Sequence, residues 1–135
     1  MAFTEQDIEC MSLALKLSQF GRSDVGANPM VGCVITRDDK IIAQDYHQFY
    51  GDGHAEINAL NQINHEADNT KLYVTLEPCS HYGKTPPCVD ELINAGVKKV
   101  FIAMLDPNPL VSGKGIKILQ DAGVAVDVGL LEDEA

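Results

Sequence analysis

The spacing of hydrophobic and polar positions along the chain predicts four helices and five strands. Residues 4–20 carry apolar side chains at mostly three-to-four spacing, which predicts a first helix with Thr4 as its N-cap and Gly21 as its stop. Two β-rich runs, 31–37 and 41–46, are joined at Asp38-Asp39-Lys40 and predict an antiparallel hairpin. The remaining elements alternate, with helices predicted over 54–64, 86–95 and 115–122 and strands over 71–76, 99–104 and 124–128.

This order of elements predicts a single α/β domain. A hairpin followed by three strands that alternate with helices gives one mixed five-stranded sheet, and each crossover helix must cover an apolar face. We therefore expect a three-layer α/β/α sandwich that spans residues 1–135, a length typical of one domain. Such sheets usually carry their sites in loops at the carboxyl ends of adjacent strands, here the third and fourth strands.

Charge and composition narrow the choice of partners. The chain has 10 basic and 20 acidic residues, a formal charge of −10, and its basic residues form no run. Nucleic acid is therefore not an expected partner, because binding to a phosphate backbone relies on clustered cations. Membrane spanning is also not expected, since no apolar stretch is long enough, and the opening residues lack the features of a signal peptide. We expect a cytoplasmic protein, and an anionic small substrate would need a local basic pocket.

A set of metal-ligating residue types stands near the predicted helix starts. His54-Ala55-Glu56 opens the second helix, Pro78-Cys79 ends the third strand, and Cys88 enters the third helix. One imidazole and two thiolates form a three-ligand zinc set that leaves the fourth position for water, as a catalytic site requires. Both cysteines lie near predicted helix N-termini, where partial positive charge favours the thiolate. Glu56 is placed to accept a proton from that water, as in the H-x-E and P-C-x-x-C signature of zinc deaminases.

A closed structural zinc site is the main alternative. Its fourth ligand would be a further histidine, and the candidates are His47, His65 and His81. A non-enzymatic domain held together by zinc would have such a fourth protein ligand. A nucleic-acid deaminase would use the same zinc chemistry, but the acidic composition opposes it because single-strand binders need an electrostatic groove.

The chain departs from the signature in one respect, since eight residues, SHYGKTPP, separate the two cysteines instead of two. The segment PCSHYGKTPPC, with NPMVGCVI at 28–35, HAE at 54–56 and DPNPLVSGKG at 106–115, resembles the deaminase domain of the bifunctional riboflavin-biosynthesis deaminase/reductase. The resemblance runs from the first helix to LLEDEA at 130–135. It implies a cytidine deaminase-like fold and a zinc-dependent hydrolytic deaminase.

The resemblance also implies a substrate and residue roles. The substrate is 2,5-diamino-6-ribosylamino-4(3H)-pyrimidinone 5′-phosphate, a small phosphorylated pyrimidine whose ring amino group is replaced by oxygen with loss of ammonia. His54, Cys79 and Cys88 match the zinc ligands, and Glu56 matches the proton shuttle. Two groups of residues match substrate contacts: Asn28 and His47 near the pyrimidine, and Lys84, Thr85, Asp106 and Asn108 near the ribose phosphate.

Bacterial members of this family usually continue into a reductase domain that uses NADPH. We expect residues 1–135 to form the deaminase domain alone, either separated from its reductase domain or as a stand-alone deaminase. A homo-oligomer is compatible with the sequence.

Several of these residues also have simpler interpretations. Lys84 is equally a solvated loop cation, and the run from Asp106 to Pro109 is equally a rigid turn. Cys10 and Cys33 are most simply small buried hydrophobes. The SGKG run that ends at Gly115 weakly suggests anion binding, but the sequence favours a flexible helix entry there.

Overall fold

The computed structural model describes residues 4–20, 31–46, 55–78, 88–105 and 113–129. Within these ranges the chain forms four helices and five strands in the predicted order. The helices are α1 (Glu5–Phe20), α2 (Ala55–Gln62), α3 (Cys88–Ala95) and α4 (Lys114–Asp121), and the strands are β1 (Gly32–Arg37), β2 (Lys40–Tyr46), β3 (Lys71–Leu76), β4 (Lys99–Met104) and β5 (Ala125–Val128).

The five strands form one mixed sheet in the order β2-β1-β3-β4-β5. β1 is antiparallel to β2 and to β3, whereas β3, β4 and β5 are parallel. The predicted hairpin is present, and both of its turn residues, Asp38 and Asp39, have positive φ angles of 52° and 64°. Positive φ at both central residues is the geometry that matches the twist of a two-residue hairpin, and aspartate tolerates it better than most residues.

Helices cover both faces of the sheet, which confirms the predicted three-layer sandwich. On one face α1 packs through Met11 and Ala14 against Val34, Tyr73 and Phe101. On the other face α2, α3 and α4 bury apolar side chains against alternate residues of the same strands, among them Leu60, Leu92, Leu119, Leu72 and Ile102. The alternation arises because successive side chains of a strand point to opposite faces.

Predicted and observed boundaries differ by one or two residues at several element ends. The second helix was expected to reach residue 64, but it ends at Gln62 because Asn64 and His65 have φ angles of 54° and 58°, which a right-handed helix excludes. The fourth helix begins at Lys114, one residue early. Among the described residues no helix has the length and apolar character needed to cross a membrane.

The start of β1 lies unusually close to α1. A Cβ atom on Gly32 would stand 1.9 Å from the carbonyl oxygen of Ala14, so only glycine allows this approach. The Gly32 N–H donates to Thr75 Oγ1 at 3.2 Å. Helix α1, β1 and the end of β3 are thereby fixed to one another beside the sheet edge described next.

Candidate active site

One edge of the sheet collects the chain segments that carry the predicted chemistry. β2, β3 and β4 run in the same direction, because β1 is antiparallel to both β2 and β3, so their carboxyl ends meet at this edge. α2, α3 and α4 follow these strands and begin at the same edge. Hydrogen bonds tie the ends together: Asn58 Nδ2 donates to the Tyr46 carbonyl at 3.2 Å, and the Glu77 N–H donates to the Met104 carbonyl at 2.9 Å.

The structure describes two of the ten predicted site residues, Glu56 and Cys88. The other eight lie outside the described residues: His54 and Cys79 of the zinc set, and Asn28, His47, Lys84, Thr85, Asp106 and Asn108 of the substrate set. The described residues on either side of these eight lie at this edge of the sheet. The edge contains the last residues of β2, β3 and β4 and the first residues of β1, α2, α3 and α4. The ligand assignments themselves remain predictions.

Glu56 lies in the first turn of α2 and is only 2% exposed. Its charge acts on Cys33 of β1: burial raises the pKa of the Cys33 thiol well above its usual value, and the charge of Glu56 raises it further. Cys33 is fully buried, in agreement with its expected role as a small core residue. A carboxylate held in such a poorly solvated place interacts strongly with any proton donor that enters it.

Cys88 is the first residue of α3 and is 2% exposed. The unpaired N–H groups of a helix start carry partial positive charge, which favours the thiolate form that binds metal. α2 and α3 pack against each other on the same face of the sheet, and both begin at this edge. Within the described residues no disulfide joins Cys88 to Cys10 or Cys33.

The described part of the site fits a zinc ion. It offers a buried sulfur at a helix N-terminus and a buried carboxylate in the first turn of the adjacent helix, and two further ligand types, His54 and Cys79, adjoin described residues at the same edge. Among described residues alone, no group of three histidine, cysteine or acidic side chains is arranged to hold a metal.

His65, a candidate fourth ligand, has other partners. Its Nε2 atom lies 2.7 Å from Asn61 Oδ1, and its Nδ1 atom lies 3.6 Å from Glu91 Oε2. Both ring nitrogens therefore face side-chain oxygens of α2 and α3. This geometry argues against a closed zinc site with His65 as its fourth ligand.

Glu77 is a residue of this edge that the sequence analysis missed. It is 6% exposed, and its carboxylate accepts hydrogen bonds from the Gly113 N–H, at 3.0 Å and 2.9 Å to its two oxygens, and from the Gly115 N–H at 3.1 Å. Two glycines of the SGKG run, Gly113 and Gly115, do bind an anionic group at the entry to α4, and this group is a carboxylate of the chain itself. The signal in the sequence was an acidic residue directly before Pro78-Cys79.

Comparison with known proteins identifies the class. The model of the cytidine and deoxycytidylate deaminase zinc-binding region matches residues 4–104. A solved structure of the riboflavin-biosynthesis protein RibD from Acinetobacter baumannii superposes with a TM-score of 0.93 at 48% identity, over 96% of this chain and 36% of that one. The chain therefore belongs to the zinc-binding cytidine and deoxycytidylate deaminase family, with the cytidine deaminase-like fold.

Two curated relatives locate the chain more narrowly within the family. It is 50% identical over 125 residues to the diaminohydroxyphosphoribosylamino-pyrimidine deaminase of Buchnera aphidicola subsp. Schizaphis graminum. This match covers 93% of this chain and 85% of that protein. It is 52% identical over 130 residues to the riboflavin biosynthesis protein RibD of Escherichia coli, which covers 96% of this chain but only 35% of that protein. The chain spans about a third of the length of its RibD relatives.

Proposed function

We propose that this domain deaminates 2,5-diamino-6-ribosylamino-4(3H)-pyrimidinone 5′-phosphate, releasing ammonia in an early step of riboflavin biosynthesis. The observation that carries the proposal is the burial of Glu56 and Cys88 in the first turns of two neighbouring helices at the same sheet edge. In the sequence, His54 directly precedes the first of these helices, and Cys79 directly follows Pro78, beyond the end of β3 at Leu76. The names of the relatives at about half identity support the choice of substrate.

His54, Cys79 and Cys88 would hold a zinc ion. Two thiolates would balance its charge, and the neutral imidazole would complete three of four tetrahedral positions. Bound there, zinc would supply a water whose pKa is lowered toward about 7.

Glu56 would move the protons of the reaction. Its carboxylate would accept a proton from the attacking water and pass it to a ring nitrogen, so that the adjacent carbon becomes electrophilic. It would then take the second proton from the newly added hydroxyl group and pass it to the amino group, which leaves as ammonia. Burial supports this role because a carboxylate in a poorly solvated site transfers protons to a bound substrate without competition from bulk water. The anchored first turn of α2 holds the carboxylate in place.

Substrate recognition would be local. Asn28 and His47 would contact the pyrimidine, while Lys84, Thr85, Asp106 and Asn108 would hold the ribose phosphate. A single lysine with a neighbouring hydroxyl would supply a charge-assisted contact to the phosphate on a chain of net charge −10 whose basic residues form no run. We place the reaction in the cytoplasm, and NADPH would serve only a reductase domain joined to this one.

The experiment compares the wild type with Glu56→Gln. The amide keeps the size of the side chain but does not accept the proton, so turnover should fall by about two to four orders of magnitude. Metal analysis should find about one zinc per chain in both proteins. A variant that keeps more than about a tenth of the rate would contradict the role of Glu56.

The substrate is tested separately. Ammonia release is measured with the phosphorylated pyrimidine, cytidine and single-stranded RNA. Turnover of cytidine or RNA in preference to the phosphorylated pyrimidine would overturn the proposed substrate.

A further inference from the structure

Glu77 touches both ends of the segment that joins β4 to α4. Its backbone N–H donates to the carbonyl of Met104, the last residue of β4, at 2.9 Å. Its carboxylate accepts the N–H groups of Gly113 and Gly115, which open α4. Glu77 therefore binds the residues that flank segment 106–112 on both sides.

Two glycines at the start of α4 are required for different reasons. Gly113 has a φ of +85°, which only glycine adopts without strain. A Cβ atom on Gly115 would stand 2.6 Å from the carbonyl oxygen of Pro78. The start of α4 is thus set against the backbone of Glu77 and Pro78, directly before the predicted zinc ligand Cys79.

We propose that Glu77 is a positioning residue of the deaminase site, which fixes the flanks of residues 106–112 relative to the end of β3. Asp106 and Asn108, two of the residues assigned to the ribose phosphate, lie in that segment. The effect of Glu77 on substrate binding rests on the proposed function. Its hydrogen bonds to the residues that flank 106–112 do not depend on which substrate is used.

A carboxylate suits this position better than an amide. Gly113 donates to both oxygens of Glu77 and Gly115 donates to one of them, so both oxygens act as acceptors. In Glu77→Gln one of these acceptors becomes an NH₂ donor that faces backbone N–H groups, and the loss of the negative charge also removes its interaction with the N-terminal end of α4.

The test uses Glu77→Gln and a matched control, Asp7→Asn. Asp7 is also a buried carboxylate, at 5% exposure, that binds backbone at the start of a helix, but its helix is α1, on the opposite face of the sheet. Both variants lose a buried charge that accepts backbone N–H at a helix start, and Asp7→Asn also weakens the bond from the Tyr73 hydroxyl, which is remote from the deaminase site. The measurements are kcat and KM with the phosphorylated pyrimidine and its dephosphorylated form, zinc content, the melting temperature, and amide hydrogen exchange by peptide.

In Glu77→Gln we expect zinc to stay near one per chain and kcat/KM for the phosphorylated substrate to fall about tenfold, mainly through KM, the size of effect that one lost charge-assisted contact has. The dephosphorylated substrate should change little. Exchange should accelerate in peptides covering 105–115 and stay unchanged in α2. Asp7→Asn should lower the melting temperature without altering the preference for the phosphorylated substrate.

Two results would overturn the inference: unchanged exchange in 105–115, or an equal loss with both substrates that matches the behaviour of Asp7→Asn. A wild type that is inactive on both pyrimidines would refute the proposed function instead. Hydrogen exchange would then still decide whether Glu77 anchors the segment.

Discussion

A hydrogen bond between Tyr73 of β3 and Asp7 of α1 helps to hold this helix on the sheet, and a single substitution tests its contribution to stability. Tyr73 is fully buried, its ring stacks on Phe101 with centroids 4.7 Å apart, and its hydroxyl donates to Asp7 Oδ1 at 2.7 Å. Asp7 also completes a reciprocal cap with Thr4, because each backbone N–H donates to the other's side chain at 3.0 Å. Tyr73→Phe keeps the stacked ring and removes only the hydroxyl.

The magnitude follows from the charge of the acceptor. A hydrogen bond to a charged group contributes about 1.5–3 kcal/mol, so Tyr73→Phe should lower the free energy of unfolding by about 2 kcal/mol at pH 7. For a chain of this length the entropy of unfolding is roughly 0.28 kcal/mol/K, which converts that loss to a melting temperature about 7 °C lower.

The effect should depend on pH. Burial opposes ionisation of Asp7, but the hydrogen bonds from Tyr73 and Thr4 outweigh it and hold the pKa of the carboxyl below its usual value. A depressed pKa in the folded state adds stability above the unfolded pKa of about 3.9, and this stability is lost as the pH falls through the folded value. The cost of Tyr73→Phe should therefore shrink at acidic pH.

Urea unfolding at several pH values, with Asp7→Asn and the double variant, measures this coupling. The cycle should give a coupling free energy of about 1 kcal/mol or more at pH 7, which declines as the pH falls below the unfolded pKa of about 3.9 and through the lower folded value. A Tyr73→Phe cost under about 0.5 kcal/mol, or one that does not shrink as acid protonates Asp7 in the folded protein, would refute the reasoning.

Three further predictions concern the site and its support. Gly32→Ala should destabilise the fold by about 1–3 kcal/mol or prevent folding, because its Cβ would overlap the Ala14 carbonyl oxygen, and thermal unfolding measures the loss. Cys88→Ser should lose zinc and deaminase activity together; full zinc content in the purified variant would remove Cys88 from the ligand set. Lys84→Ala should weaken binding of the phosphorylated pyrimidine by about 2 kcal/mol and leave its dephosphorylated form unaffected, so equal losses in KM for the two would make Lys84 a structural loop residue.

The fold followed from the sequence because local patterns and global topology agree. β1, β3 and β4 are continuous apolar runs that are buried on both faces: residues such as Val74 and Tyr73 point to opposite sides, and helices were available to cover both. The alternation of strands with helices determined that β3 and β4 are parallel neighbours, and so that their carboxyl ends meet. Helix ends were less predictable, since Asn64 and His65 leave the helix through left-handed conformations that no strong stop signal marks.

The role of Glu77 was not predictable from spacing. An acidic residue at the end of a buried strand is expected to face solvent or a ligand, and its actual partners, the N–H groups of Gly113 and Gly115, lie 36 and 38 residues further along the chain. Every residue except proline has the same backbone N–H group, so the sequence does not reveal which side chain such a group binds. The glycines themselves were visible, but the close approach of Gly115 to the Pro78 carbonyl and the positive φ of Gly113 appear only in three dimensions.

The end of β3 organises this edge through two residues. Thr75 accepts the N–H of Gly32 and so fixes where β1 begins, while Glu77 accepts the first N–H groups of α4 and so fixes where that helix begins. The segments that adjoin these anchors carry Asn28 on one side and Asp106 and Asn108 on the other. The next residues after Glu77 are Pro78 and the predicted ligand Cys79, so the same strand end also adjoins the predicted metal site. Substitutions at Thr75 and Glu77 should therefore alter substrate binding before they alter the pairing of β3 with its neighbours, since that pairing rests on backbone hydrogen bonds of residues 71–76 with β1 and β4.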